Sequence, residues 1–166
     1  KETYPNWEII KEYKNGYFLL GKEKDHYDSF EDRVWNLFYR MGFTTLNKNN
    51  KFKISYDDEN RELTKQIDVF AVDDETIIIC ECKSTNDFKS SNFKIELESY
   101  KGIIEGLRKT INKELPDKKI SFIWATNNYS LGDKDLQSLK SFNFVHFTEK
   151  TIEYFVNLAD HLDEAS

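Results

Sequence analysis

The sequence predicts a single α/β domain in which helices cover a mixed β-sheet. One observation is the run of Ile- and Val-rich segments in the first half, broken by a tight acidic turn, which reads as antiparallel strands. Another is the regular alternation of strand and helix patterns after residue 120, which implies crossover connections and parallel pairing. A third is length: 166 residues suit one domain with a core that needs neither disulfides nor metal to fold.

Residues 1–27 carry Trp7, Ile9, Ile10, Tyr13 and Tyr17 to Leu20 around an Asn15-Gly16 turn signal, which fits a helix or a short hairpin. Residues 28–41 form a helix. Asp28 or Ser29 caps it, Glu31 and Asp32 sit in its first turn, and Phe30, Val34, Leu37, Phe38 and Met41 make one apolar stripe before Gly42 stops it. Residues 52–56 alternate as a half-wet strand, and residues 57–60 turn the chain. Strands come next at 65–72 and 76–83, joined through Asp73-Asp74-Glu75, and then a polar loop at 84–93. A second helix spans 94–113 with an inward stripe of Ile95, Ser99, Gly102, Ile103, Gly106, Leu107 and Thr110; its two glycines cost about 1 kcal/mol each in helix propensity but permit close packing. The remaining expectations are a strand at 120–125, a helix at 133–141 with Leu136 and Leu139 inward, a strand at 143–147, and a helix at 149–162 burying Ile152, Phe155, Val156 and Ala159.

Composition narrows the function classes. Thirty acids against 24 Lys and Arg give a net charge of −6, which excludes a bulk basic polymer binder but leaves room for a local phosphate-binding surface. Aromatic residues make up 15% of the chain, enough large side chains to fill the core. Cys80 and Cys82 share one strand face and read as two buried reduced thiols; His26, His146 and His161 have no zinc spacing and read as structural or surface residues. No apolar run is long enough to span a membrane and no signal-peptide pattern opens the chain, so a cytoplasmic setting is expected. The start at Lys1 and the end at Ser166 suggest a piece of a longer protein.

The chemistry concentrates between Lys65 and Lys83. If Asp74 and Glu75 form a two-residue turn, Asp68 faces Glu81 and Gln66 faces Lys83. Strand alternation then puts Gln66, Asp68, Glu81 and Lys83 on one face, and Ile67, Val69 and Ala71 with Ile78, Cys80 and Cys82 on the other. An apolar strand, Ile77-Ile-Ile-Cys-Glu-Cys-Lys83, would thus end in charges, and buried strands seldom carry charges without partners or a task. Two nearby carboxylates repel each other, and burial penalises both; a divalent cation relieves both effects. Hard oxygen ligands suit Mg²⁺, with Mn²⁺ able to substitute, and the Cys82 carbonyl between Glu81 and Lys83 could add a third oxygen. With Lys83 as a point charge that holds or helps deprotonate a water, this is equipment for metal-assisted phosphodiester hydrolysis.

Ile67-Asp68, twelve intervening residues and Glu81-Cys82-Lys83 resemble the PD-(D/E)XK nuclease superfamily of restriction-endonuclease-like fold, nearest its Mrr-like and Holliday-junction-resolvase-like branch. Phe30 to Val34 before the hairpin, and Ala125-Thr126-Asn127 and Phe144 to Phe147 after it, extend the likeness to about residues 28–160. The resemblance implies an α-β-β-β-α-β core with an added α-β-α, Mg²⁺ at Asp68 and Glu81, a catalytic Lys83 and a supporting Glu31. It implies a nuclease domain at 28–162, with 1–27 as an extension and 163–166 as a tail, that cleaves DNA in bacterial restriction or anti-phage defence. Further domains of a longer chain or a homodimer would be its partners. Ile67 stands where this branch commonly has Pro, and Glu98 and Tyr100 do not fit the Gln–Tyr spacing of some branches. A rival reading keeps the fold but only grips DNA for another domain. A first-turn acid such as Glu31 also suits the helix dipole alone. Phosphate contacts are expected from the 84–94 loop, with Lys48, Lys51 and Lys53 as an opposite wall, while Lys89, Lys94, Lys101, Arg108, Lys109 and Lys113 interleave with acids as a solvated face. Tyr56 and Trp124 are weighed as base-stacking residues but fit a core better.

Overall fold

The computed structural model describes residues 8–21, 25–49, 51–58 and 61–163. Trp7, the Glu59-Asn60 part of the expected turn and the tail beyond Asp163 lie outside the described residues. The chain runs β1 (Glu8–Glu12), β2 (Phe18–Gly21), α1 (His26–Arg40), β3 (Thr45–Leu46), β4 (Lys53–Asp58), β5 (Arg61–Gln66), β6 (Val69–Val72), β7 (Thr76–Ser90), α2 (Lys94–Glu114), β8 (Lys119–Ser130), α3 (Asp133–Ser141), β9 (Phe144–Thr148) and α4 (Glu149–Asp163).

Five strands form a mixed sheet in the order β3-β6-β7-β8-β9, antiparallel from β3 to β7 and parallel from β7 to β9. The crossover helices α2 and α3 make the parallel half, as the strand–helix alternation requires. Side chains of β7 alternate between two cores. Ile77 and Ile79 join α2 residues Leu97, Tyr100, Ile104, Leu107 and Ile111 on one face. Ile78, Cys80 and Cys82 join Phe30, Val34, Leu37 and Phe38 of α1 on the other, together with Ile152 of α4. The fold is therefore α/β with helices on both sheet faces. Both cysteines are free and buried on one face. Among the described residues, no helix is long and apolar enough to cross a membrane.

Several local expectations change. The N-terminal segment is the hairpin β1–β2 about Gly16, with every described β1 side chain exposed. The α1 cap is Asp25, whose Oδ1 accepts from the Asp28 amide at 2.8 Å; the helix starts earlier than Asp28 or Ser29 would have it. Gly42, at φ +91°, leaves α1 in a conformation that favours glycine. The stripe of α2 is rotated from the expected one, because Tyr100 and Leu97 fill the core while Ile95 is 82% exposed. In α3 Leu139 is buried but Leu136 is exposed. The polar residues 84–90 are not loop: they continue β7 alongside β8, with a break in register between Ser84 and Lys89.

The expected single strand at 65–72 is two strands. β5 pairs with β4 in a separate hairpin (Gln66 opposite Lys53, not Lys83), and β6 pairs with β7. The β4–β5 hairpin lies on α2 through Tyr56, which packs into the α2 core. The two α2 glycines differ in consequence. A Cβ on Gly106 would lie 2.4 Å from Tyr56 Cδ2 and 3.3 Å from the Asp57 carbonyl oxygen, whereas one on the exposed Gly102 would meet nothing within 4 Å. Gly102→Ala should stabilise by about 0.5–1 kcal/mol through helix propensity. Gly106→Ala should instead destabilise by on the order of 1 kcal/mol, since overpacking outweighs the same gain. Urea unfolding of the two variants checks the opposite signs.

Candidate active site

The hairpin β6–β7 pairs in the expected register, Val69 opposite Cys80 and Val72 opposite Ile77. The early end of β6 builds the site. Residues in a hydrogen-bonded antiparallel pair exchange both backbone bonds, so the Cys82 N–H and C=O point to the same edge as those of Cys80, toward the β6 side. The ladder partner there would be Ile67, but the Ile67 amide donates to the Phe52 carbonyl at 3.0 Å as the chain swings into β5. Ile67 accordingly packs in the α2 core, not with Val69 and Ala71 as strict alternation across one strand would have it. The Asp68 side chain takes over, its Oδ2 accepting from the Cys82 amide at 2.8 Å. The Cys82 carbonyl is left facing the same edge.

Asn47, 6% exposed, fixes the backbone around Asp68. Its Nδ2 donates to the Asp68 carbonyl at 3.0 Å, its Oδ1 accepts from the Phe70 amide at 3.0 Å, and its own carbonyl takes the Trp35 indole N–H at 2.8 Å. Nothing in the sequence around Asn47 marks it, because its role depends on a strand break elsewhere in the chain.

Glu81 is 3% exposed on the α2 side of β7. Lys65 Nζ lies 2.7 Å from its Oε1, an ion pair to the buried carboxylate. Lys83 Nζ is 3.7 Å from Glu81 Oε2, 2.6 Å from Glu96 Oε1, and 5.3 Å from the Trp124 ring centroid. Burial pulls the Lys83 ammonium down, but Glu96, Glu81 and Asp68 outweigh it and hold the group above its usual range. It is a fixed cation here and not a proton acceptor. Burial, and then Glu81, push the Tyr100 phenol far up, so it stays a neutral donor beside that carboxylate. Glu96 and Tyr100, one helical turn apart, are thus the α2 residues that face Lys83 and Glu81; Glu98 pairs with Lys94 at the surface.

Glu31 reaches the site from α1. Burial, followed by the nearby Asp68, raises its carboxyl to about 7, and burial with Glu81 raises Asp68 to about 6. A cleft of about 240 Å³ opens over these acids, lined by Glu31, Asp32, Trp35, Asn47, Lys48 and Asp68 among others. Lys48 of the expected opposite wall therefore lies in it. Trp124 and Tyr56 are core residues, 0% and 7% exposed. Among the described residues, no group of three or more His, Cys, Asp or Glu side chains stands at metal-ligand spacing. His146, which burial keeps below its usual range, bonds Thr126 Oγ1 at 2.9 Å, a structural role.

The raised carboxyls have a consequence for stability. Their unfolded values, 4.5 for Glu31 and 3.8 for Asp68, lie below the folded values, so the folded chain binds more protons between about pH 4 and 7. Stability of the metal-free protein should fall as pH rises through that window, by on the order of 2–3 kcal/mol from Asp68 alone. Urea unfolding in EDTA at pH 5 and 7.5 checks this, and Mn²⁺ should flatten the slope.

No family model and no curated protein matches the chain. Among solved structures it is similar to AF1548, a protein of unknown function, with TM-score 0.54 and 16% identity over 75% of this chain and 58% of that one. It also aligns with VC1899 from Vibrio cholerae at TM-score 0.47 and 12% identity, over 82% of this chain and 33% of that one. The chain spans less than two thirds of either protein's length, and the likeness to AF1548 is one of fold alone.

Proposed function

We propose that this domain is a divalent-metal-dependent deoxyribonuclease of the restriction-endonuclease-like class, serving restriction or anti-phage defence in the cytoplasm. The observation that supports it most is the end of β6. There the Asp68 carboxylate and the Cys82 carbonyl face one edge beside the buried Glu81, with a charged Lys83 next to them and Glu31 raised by Asp68.

The donor set fits Mg²⁺ or Mn²⁺. Glu81 is buried, and Asp68 and Glu31 are strained by burial and by neighbouring negative charge, which a hard cation on oxygen would relieve. Asp68, Glu81 and the Cys82 carbonyl would hold it, with Lys65 giving up its place on Glu81. Such a cation supplies an activated water and neutralises charge on the scissile phosphate. The chain's own residues do the rest. Lys83 stabilises negative charge growing on the phosphate oxygens, and Glu96 and Trp124 keep its ammonium in place. Asn47 holds the Asp68 backbone, and Tyr100 keeps a neutral donor on Glu81. The described lining of the cleft sets Glu31, Asp32 and Asp68 against the cation Lys48, so a phosphate would be repelled until a divalent ion is bound.

Glu31→Gln should slow cleavage about tenfold or more; because Glu31 lies in the second turn of α1 with its carboxyl raised by burial and Asp68, the variant should be no less stable than the parent at pH 7.5. A lower melting point with unchanged cleavage would remove Glu31 from the site. The reading as a whole is tested by a cleavage panel of plasmid, linear, single-stranded and modified DNA in Mg²⁺ and in EDTA. DNA binding without Mg²⁺-dependent cutting of any member would favour the rival role of a DNA-gripping module.

A further inference from the structure

Helix α1 carries more than Glu31 along the cleft. Glu31, Trp35 and Tyr39 stand four residues apart, on one ridge at about 6 Å per step. Trp35 and Tyr39 are stacked, with ring centroids 5.7 Å apart and planes 12° from parallel. The indole is oriented at its edge as well, because its N–H donates to the Asn47 carbonyl at 2.8 Å. Trp35 lines the same cleft as Glu31, Asp68 and Lys48, while Tyr39 behind it is 60% exposed. Trp35 packs in part against the α1 core, and the rest of it lines the cleft, where the charge chemistry does not use it. The other large aromatics near the site, Trp124, Tyr100 and Phe93, are buried in the core of α2.

We infer that this cleft binds an unpaired nucleobase next to the scissile phosphate, with Trp35 as its stacking platform, Tyr39 as backing and Lys48 on a flanking phosphate. The inference rests on the nuclease reading and narrows its substrate class. Every base presents a π-face, so an aromatic platform binds bases without demanding a sequence. In an intact duplex the bases are stacked on one another, and a base reaches a side-chain platform only by being extruded at a cost; for an unpaired base that cost is least. The amide of Asn47 is committed to the backbone on both sides of Val69, at the Asp68 carbonyl and the Phe70 amide, so it does not read a base edge, in keeping with a platform that selects for unpaired structure and not for sequence. The preferred substrate is therefore DNA with an unpaired nucleotide at the cut, as in a bulge, flap or single strand, over fully paired duplex. The acids on the cleft wall require that binding be measured with the divalent ion present.

The test uses the full chain carrying Lys83→Ala, so that DNA bound in Mg²⁺ is cut on the order of 10²-fold more slowly and binding is read before cleavage. The probes are two DNA hairpins with 2-aminopurine, one in a single-nucleotide bulge and one fully paired. The bulged probe should bind at least tenfold tighter, and its fluorescence should be quenched on binding. Adding Trp35→Leu should abolish both the quenching and the preference, and Trp35→Phe should restore most of each, because the ring and not the indole N–H does the stacking. Tyr39→Ala, at an exposed position, should reduce the preference with the fold intact by circular dichroism. Equal binding of the two probes, or quenching that persists in Trp35→Leu, would overturn the inference while leaving the nuclease reading standing. Failure of the chain to bind either probe, with no cutting by the parent, would overturn both.

Discussion

Lys83→Ala should lower the single-turnover cleavage rate on the order of 10²-fold or more, the scale for removing one fixed electrostatic stabiliser. The ammonium is 2.6 Å from Glu96 and 3.7 Å from Glu81, and its surroundings hold it charged, so it brings a localised positive charge without having to gain a proton during the reaction. Its effect grows as charge builds on the phosphate oxygens, which places the loss in the rate and not in ground-state binding. DNA affinity should fall only slightly, since one contact among several is removed. Lys83→Arg should not restore the rate: a planar fork does not replace a compact charge packed over Trp124 between two carboxylates. Rapid-quench measurement on one DNA substrate in Mg²⁺, with filter binding alongside, separates rate from affinity. An undiminished rate in Lys83→Ala would remove the mechanism and leave the DNA-gripping alternative.

Asp68→Asn should have effects of opposite sign on stability and activity. The Asn side-chain carbonyl can still accept from the Cys82 amide, so the end of the β6–β7 ladder is kept. The substitution removes one of the negative charges that crowd Glu31, and with it the penalty for burying an ionised Asp68. At pH 7.5 the metal-free variant should unfold at higher urea than the parent, and most of the fall in stability between pH 5 and 7.5 should disappear. Cleavage should nonetheless drop on the order of 10²-fold or more, because a charged oxygen ligand is lost. A variant that is both less stable and equally active would make Asp68 only a ladder cap.

Elements specified by neighbouring residues were legible in the sequence, and those specified by distant contacts were not. The β6–β7 hairpin was legible because the Asp73 to Thr76 turn fixes its register; the faces, both apolar near the turn, would by themselves tolerate a slip. That register brought Asp68 to the end of β7 that carries Glu81 and Lys83. The break at Ile67 was not legible, since Lys65 to Val72 alternates without a turn residue. The chain departs from the sheet there because the Ile67 amide finds Phe52 and Asn47 clamps Asp68 and Phe70, both of them long-range contacts. The strand at 84–90 reads as loop by its Ser, Thr, Asn and Asp content, and only the adjacent β8 gives its backbone partners. The α2 stripe is not legible because Gly102 and Ile103 fall on the same helical period as Leu107, whereas the larger Tyr100 and Leu97 make the core contact. The same ambiguity hides Glu96 and Tyr100, which become visible as site residues once the face of α2 that meets β7 is known.

The central claim is a divalent-ion site made by Asp68, Glu81 and the Cys82 carbonyl. Isothermal titration of Mn²⁺ into the parent, Asp68→Asn and Glu81→Gln at pH 7.5 tests it most directly. Saturable binding to the parent should weaken at least tenfold in each variant, with both variants folded by circular dichroism. Binding that is absent from the parent, or of equal strength in all three chains, would contradict it.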